Sequence, residues 1–388
     1  MSKKFKIAYL CLESINVNNA SYVHVTEVLE HLQKRNLEVK LFCSNYKKHN
    51  RKKKSLLGCL LRYLFLQIRL IVNIRKYSLL YVRSHYMAFA SVLIAKLFFI
   101  PVIQEVNGPY DDIFITYPWL KIFKPFLIPL QRLQYKWATH ILPVTDNLKE
   151  WIAVEAGHNR ITVIPNGANT RLFHPNSSLL QNEISSDYVV FFGSMAKWHD
   201  LNTILKATSE SAWPENVKLV ILGADLIDPI MTINNNSRII LLPTQDYKKV
   251  HRYVSPAIAG LVIISNLEKR AEKGLAPLKL YETLACGVPV IATDFPGQAD
   301  LIKKYKCGVV VPPNDSVSLA KSVSFLYKNK KINKTYGRNG RRIVEKKYNW
   351  EKNAEVIYFI IKKIICYKYK KDFFIFERNK ILKIPTYS

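Results

Sequence analysis

Acidic residues are scarce in this chain. Its 388 residues carry 29 Asp and Glu against 58 Lys and Arg, a formal net charge of +29. A surplus of that size points to an anionic partner: nucleic acid, anionic lipid or phosphorylated substrates. Cysteine is sparse as well. The six, Cys11, Cys43, Cys59, Cys286, Cys307 and Cys366, form no Cys-x2-Cys pair and no metal-ligand spacing. Most sit in apolar runs, as reduced core residues of a cytosolic protein do, so neither a disulfide set nor a metal site is expected. Long uncharged apolar runs are missing. Leu56–Val72 is interrupted by Arg62 and Arg69, and Met87–Ile103 contains Lys96 and Pro101. Neither makes a good spanning helix. Lys3 and Lys4 precede only a short apolar run, Ile7 to Leu12, with no clean small-residue cleavage site, so that run reads as a first strand and not as a signal peptide. No Asp-x-Asp pair falls in a plausible place, and no RNP, KH or helix-turn-helix pattern is present. The last absence argues against nucleic acid as the partner of the basic charge.

What is present is a long alternation of strands and helices in a chain with 49% hydrophobic residues, enough for two domains with ample core. Lys6–Leu12, Glu38–Cys43, Leu79–Arg83, Pro101–Val106 and Ala138–Thr145 read as strands, with helices at Val23–Arg35 and Met87–Phe99. After a polar stretch, His174–Asp187, the pattern restarts. Strands are predicted at Tyr188–Phe192, Val217–Leu222, Arg238–Leu242, Ala259–Ser265 and Gly308–Pro312, and helices at Leu201–Ala207, Tyr247–Val254 and Ser316–Leu326. Lys328–Lys370 reads as helical and basic. The strand–loop–helix–strand openings of the two halves are Rossmann-like. The expected organisation is a first domain over residues 1–175, a linker over 176–187, a second domain over 188–345 and a basic helical tail over 346–388.

The segment Pro277–Thr293 carries the most chemistry. Pro277 suits the first helical position, where a missing N–H costs nothing. Leu278, Tyr281, Leu284 and Ala285 recur at helical spacing, Gly287 ends the helix, and Val288–Ala292 is a short buried strand. The free N–H groups at such a helix start suit an anionic ligand. Glu282 lies about one turn in, where a fixed carboxylate can accept from two neighbouring hydroxyls, as on a ribose. A diphosphate and a ribose together make a sugar nucleotide.

This segment resembles the donor motif of retaining glycosyltransferases of the GT-B fold, chiefly glycosyltransferase family 4. Pro-Leu-Lys-Leu-Tyr-Glu, ending at Glu282, resembles a branch seen among bacterial surface-polysaccharide enzymes. Glu282 matches the second Glu of the family's Glu-x7-Glu, and Gly274 stands where the first belongs. Pro165-Asn166-Gly167, with Phe173 beyond, matches the segment that closes the family's first domain. Gly193–Asp200 takes the place of a basic loop, with Ser194 in the Arg position and His199 in the Lys position. Asn107 replaces a family His, and Asn16–Ser21 replaces a glycine-containing first loop. Phe295–Ile302 resembles the family's Gly-Gly-x-x-Glu loop, with Asp300 in the acidic place.

The resemblance implies two Rossmann-like doubly wound α/β domains facing a cleft, with the donor on the second domain and the acceptor on the first. The donor is a nucleotide-diphosphate sugar, UDP- or GDP-linked, used as substrate with no cofactor and no metal. Lys279, Lys197 and His199 are expected to offset diphosphate charge. Glu282, Leu278, Pro277, Ser194, Gly193 and Gly274 are expected to line the donor, and Asn107, Asn19 and Ser21 the sugar or acceptor side. Transfer is expected to retain anomeric configuration. The charge run Lys47–Lys54, the apolar stretch behind it and the aromatic segment Tyr117–Trp137 read as membrane-surface elements. They suggest a lipid-linked acceptor on the anionic inner face of the plasma membrane, in surface-polysaccharide assembly. A GT-B nucleotide-sugar epimerase, a non-catalytic relative and a basic nucleic-acid-binding protein are the alternatives.

Overall fold

The computed structural model describes residues 5–15, 20–45, 56–175, 184–223 and 236–369. The chain divides into two compact units. The first holds the opening strand, Ser21–Pro165 and the residues from Trp350 onward, and the second runs from Asn166 to Asn349.

The first unit opens with β1 (Lys6–Ile15), α1 (Ala20–Lys34), β2 (Glu38–Asn45), α2 (Leu56–Ile71), β3 (Leu79–Arg83), α3 (Phe89–Leu97) and β4 (Val102–Val106). It continues through α4 (Asp112–Thr116), α5 (Lys124–Trp137), β5 (His140–Pro143) and α6 (Asp146–Ala156). Its sheet is parallel, in the order β2-β1-β3-β4-β5. Every residue of β3 and β4 is buried, as in a parallel sheet covered on both faces. All five strands end at one edge, and the order reverses between β1 and β3. That switch point is where open α/β sheets bind ligands.

The second unit repeats the plan with β6 (Asp187–Phe192), α7 (Leu201–Ala207), β7 (Val217–Leu222), β8 (Ile239–Leu242), α8 (Tyr247–Val254) and β9 (Ala259–Val262). Then come α9 (Leu278–Ala285), β10 (Val290–Thr293), α10 (Gln298–Tyr305), β11 (Gly308–Val311), α11 (Ser316–Lys328) and α12 (Lys330–Lys346). Its parallel sheet runs β11-β10-β9-β6-β7-β8, so here the switch point lies between β6 and β9.

The basic segment Lys328–Lys370, expected to be helical, holds two helices after the end of α11. It breaks after α12, and α13 (Trp350–Tyr369) follows. At the break, Tyr348 N–H still donates to the Val344 carbonyl at 3.0 Å, while its own carbonyl accepts from Ala168 N–H at 3.0 Å. A Cβ on Gly167 would lie 2.9 Å from the Asn349 carbonyl carbon, so only glycine fits there. From Asn166 onward the Pro-Asn-Gly segment therefore belongs to the second unit, although its family position led us to place it at the close of the first. The last helix, α13, packs within the first unit: Trp350 meets the His24 ring edge-on at 4.9 Å, and Asn353 donates to the Pro165 carbonyl at 2.6 Å.

Candidate active site

The candidate site of the second unit is built at the switch point of the second sheet. β6 ends at Phe192, and Gly193 turns the chain with φ +107°, a region that L side chains rarely enter. The loop that follows is stitched to the chain leaving β9. Asp200 N–H donates to the Ile263 carbonyl at 3.2 Å, and Ser265 N–H to the Trp198 carbonyl at 2.9 Å. Asp200 also caps α7, accepting from Thr203 N–H at 3.0 Å. Across this loop stands α9. Pro277 is its N-cap and not its first residue: a ψ of 137° keeps it extended, and the helix starts at Leu278 with no side-chain cap. The approach to α9 is held by the Asn166 amide, which donates to the Ala276 carbonyl at 2.6 Å. Beyond the helix the strand begins at Val290, two residues later than the apolar run suggested, because Val288 and Pro289 are spent on leaving the Gly287 turn.

Lys279 is the focus of this half. Its side chain is 6% exposed, yet Nζ has no hydrogen-bond partner. The ammonium lies 4.0 Å from the Phe191 ring centroid, and a Cβ on Gly193 would sit 3.7 Å from Nζ. Burial pulls its pKa down to about 7, and Glu282 opposes that pull. The His199 ring stands edge-on to Phe191 at 5.7 Å, with Nδ1 enclosed and unpartnered. Burial, then Lys279 and Arg270, push its basicity well below the ordinary imidazole range. His199 therefore enters this site as a neutral hydrogen-bonding ring and not as a cation. Glu282 is buried one turn into α9. Gly274, buried with φ +82°, closes the short 3-10 turn before α9 and offers only backbone. Ser194 and Lys197 are exposed on the loop after Gly193. Asp300, at the acidic family position, is occupied as a cap: it accepts from Gly297 N–H at 2.9 Å.

A second polar cluster lies at the switch point of the first sheet, around the strand end that carries Asn107. Glu105, in β4, is 3% exposed and saturated with donors. It accepts from Tyr81 Oη at 2.8 Å, Tyr9 Oη at 3.2 Å, Arg83 Nη1 at 2.7 Å and Asn107 Nδ2 at 2.7 Å, with His24 Nε2 at 3.1 Å. Burial would raise its pKa, but His24, Arg83 and Asn107 overcome that and hold the carboxyl far below its usual range. Arg83 in turn places Nε 3.0 Å from Glu13, at the end of β1. Exposure rises along this chain of charges, from 3% at Glu105 to 8% at Arg83 and 34% at Glu13. Ser21 donates to the same Glu13 carboxylate. The side chains of Asn107 and Ser21, expected to meet a sugar, are thus engaged by Glu105 and Glu13; Asn107 keeps only Oδ1 without a partner. Asn19 and the run Lys47–Lys54 lie outside the described residues. The signals for this network in the sequence are charges within otherwise apolar strands, Arg83 closing Leu79–Arg83 and Glu105 near the end of Pro101–Val106.

Two parallel Rossmann-like units, each with a charged or phosphate-ready site at its switch point, define the GT-B class of sugar transferases and their relatives. The glycosyl transferases group 1 family matches residues 181–343, and Glycosyltransferase Family 4 matches residues 22–172. Together these matches take in most of the chain, and it belongs to glycosyltransferase family 4. It is 24% identical over 262 residues to the capsular polysaccharide biosynthesis glycosyltransferase CapM of Staphylococcus aureus, an alignment covering 60% of this chain and 65% of that protein. The chain thus spans less than two thirds of the length of the curated relatives it matches. Among solved structures, sucrose-phosphate synthase of Thermosynechococcus elongatus is similar with a TM-score of 0.75 at 16% identity, covering 94% of this chain and all of that one. HepE of Anabaena, in complex with UDP-glucose, is similar with a TM-score of 0.70 at 14% identity, covering 92% of this chain and 99% of that one. At these identities the structures speak for the fold.

Proposed function

We propose that this chain moves a sugar from a UDP- or GDP-sugar to a saccharide acceptor with retention of anomeric configuration. The second unit binds the donor and the first the acceptor. One observation carries the reading: the Lys279 ammonium is buried at the start of α9 without a hydrogen-bond partner, beside the backbone of Gly193. A buried unpaired cation is costly unless an anion arrives to meet it. A diphosphate does so, and it gains negative charge as the C1–O bond to the sugar breaks. A donor already in place stabilises that charge more in the transition state than in the ground state, which raises the rate. The acceptor oxygen bonds to C1 on the face the phosphate leaves, and its proton passes to the departing phosphate oxygen. Glu282 accepts from the ribose hydroxyls.

A lipid-linked acceptor in surface-polysaccharide assembly fits two further observations. CapM, by its name, works in capsule synthesis. The first unit also exposes Leu61, Leu64, Phe65 and Ile68 on α2, and Trp119, Ile122, Phe123 and Phe126 at the start of α5 and in the 3-10 turn before it. Among the described residues no helix is long and apolar enough to cross a membrane; exposed apolar side chains of this kind suit lying on one.

Calorimetry with UDP- and GDP-sugars tests the donor site. Glu282→Ala is expected to weaken donor binding by about 1.5–3 kcal/mol, the usual worth of hydrogen bonds to a charged group. An unchanged affinity in a folded variant would sink the ribose assignment.

A further inference from the structure

The charged network of the first unit ends in a carboxylate that the fold does not use up. β1 pairs with β2 in step as far as Cys11, opposite Cys43. It then skips, so that Ser14 lies opposite Ser44 and Leu12 and Glu13 form a bulge. Bulges recur beside active sites, where they re-aim a side chain. Leu12 stays in the core, while the Glu13 side chain is 34% exposed. Arg83 Nε and Ser21 Oγ both meet Glu13 through Oε2, and no hydrogen bond from a described residue falls on Oε1. Burial would raise the Glu13 pKa, but Arg83 and Ser21 overcome it, so the carboxyl stays ionised. His85 follows β3, and the 3-10 turn that it caps, Tyr86–Ala88, packs against β1. Its Nδ1 accepts from Met87 N–H at 3.1 Å, which puts the proton of the neutral ring on Nε2. Burial lowers the pKa of that ring against the pull of Glu13 and keeps it neutral at pH 7. Neither Glu13 nor His85 lies in a stretch that the family resemblance singles out.

We propose that Glu13 Oε1 and His85 Nε2 bind neighbouring hydroxyls of the acceptor sugar, and that Glu13 makes this subsite take a neutral sugar and refuse an acidic one. The assignment rests on the reading above that the first unit holds the acceptor. A sugar hydroxyl both donates and accepts. A carboxylate oxygen only accepts and a protonated ring nitrogen only donates, so the pair answers two adjacent hydroxyls in opposite senses. The bond to the carboxylate is charge-assisted and the stronger of the two. Arg83, itself tied to Glu105 at 2.7 Å, holds Glu13 in place beforehand, so little freedom is lost when the sugar arrives. The refusal has a reason in the whole chain. A net charge of +29 draws anionic saccharides to the surface without discrimination. A fixed carboxylate at the point of contact opposes a sugar carboxylate there, which is the repulsive element that selectivity needs.

The test is saturation-transfer NMR on the full chain with UDP and GDP present. The probes are the methyl glycosides of glucose and galactose and the matching methyl glucuronide and galacturonide. The wild type should bind a neutral glycoside in preference to its uronide. Glu13→Gln should weaken the neutral glycoside by roughly tenfold and narrow the preference over the uronide by a similar factor. Glu13→Asp should bind more weakly than wild type but keep the preference, because the charge remains. His85→Phe keeps a ring beside Tyr63 and removes the donor, so it should weaken neutral and acidic glycosides alike. It leaves the carboxylate network intact and tests the site even where Glu13→Gln does not fold. Equal weakening of neutral and acidic glycosides in Glu13→Gln is what a purely structural carboxylate would give. That result, an unchanged His85→Phe, or a wild type that prefers the uronides overturns the assignment while leaving an acceptor site standing. A wild type that binds none of the glycosides overturns the acceptor reading of the first unit, and this assignment with it.

Discussion

Lys279 is the single residue on which the donor proposal turns. Burial lowers its pKa to about 7, against the pull of Glu282, while an unfolded lysine titrates near ~10.4. Between those values the unfolded chain holds a proton that the folded chain does not. Stability from this group therefore rises with pH across that window, and the cost of burying the charge is complete below pH 7. Lys279→Met should raise the melting temperature most below pH 7, with the gain shrinking towards pH 10. Melting curves of both proteins across that range check it. The ligand carries the opposite sign. An anion favours the protonated amine, so wild-type affinity for UDP or GDP should fall above pH 7, by up to about tenfold per pH unit, through this group. Lys279→Met should lose that slope along with most of the affinity. Calorimetry at pH 6.5 and 8.5 separates the two proteins.

At the scale of elements, the first sheet is tied together at its carboxyl edge by charge. Glu105 in β4 collects Tyr9 from β1, and Tyr81 and Arg83 from β3. Such a network is expensive to bury and more expensive to break. Glu105→Gln leaves Arg83 with less of its counter-charge and should cost about 3–5 kcal/mol by urea unfolding at pH 7. Because Glu105 is held far below the usual carboxyl range, its contribution is present above the unfolded value near ~4.3 and is lost as pH falls through the folded value. The difference between wild type and variant should accordingly close in acid. A loss within about 0.5 kcal/mol at pH 7, the range of ordinary surface changes, would show that the network is not what holds these strand ends. Its outermost member, Glu13, remains half-open to solvent, and this leaves an ionised carboxylate at the edge where the acceptor is proposed to bind.

For the whole molecule, the proposed membrane docking draws on the net charge of +29 and on the exposed apolar side chains of the first unit. Each Lys or Arg near an anionic surface adds about 1 kcal/mol, screened over a Debye length of about 10 Å at 0.1 M salt. Apolar side chains entering the interface are indifferent to salt. Flotation with phosphatidylserine-containing vesicles should show binding that drops steeply as salt rises. Phe65→Glu with Ile122→Glu should abolish it even at low salt. Circular dichroism and UDP or GDP affinity should stay as in wild type, since both residues are exposed. A wild type that ignores anionic vesicles at low salt would turn the acceptor proposal towards a freely diffusing saccharide.

The sequence alone determined the alternation and its units. Leu79–Arg83, Leu201–Ala207, Val217–Leu222 and Tyr247–Val254 match their elements residue for residue, because apolar runs bounded by turn residues specify local structure. It also singled out Lys279 and Glu282, since a helix start aimed at an anion has a local signature. It did not show that Lys279 would be left without a partner: that follows from Phe191, Gly193 and α9 meeting across the sheet order β9-β6. Tertiary structure alone decided that Asn107 and Ser21 answer to Glu105 and Glu13, that Trp137 packs against Phe89 while Trp119 stays exposed, and that Arg270 lies on Trp198, 72 positions away in the numbering. Asn107 and Glu105 are two residues apart on one strand end; the longer-range contacts share a physical reason. Hydrogen bonds and ring contacts between side chains depend on which strand ends stand side by side, and in a parallel sheet neighbouring strands are separated by whole helices of chain.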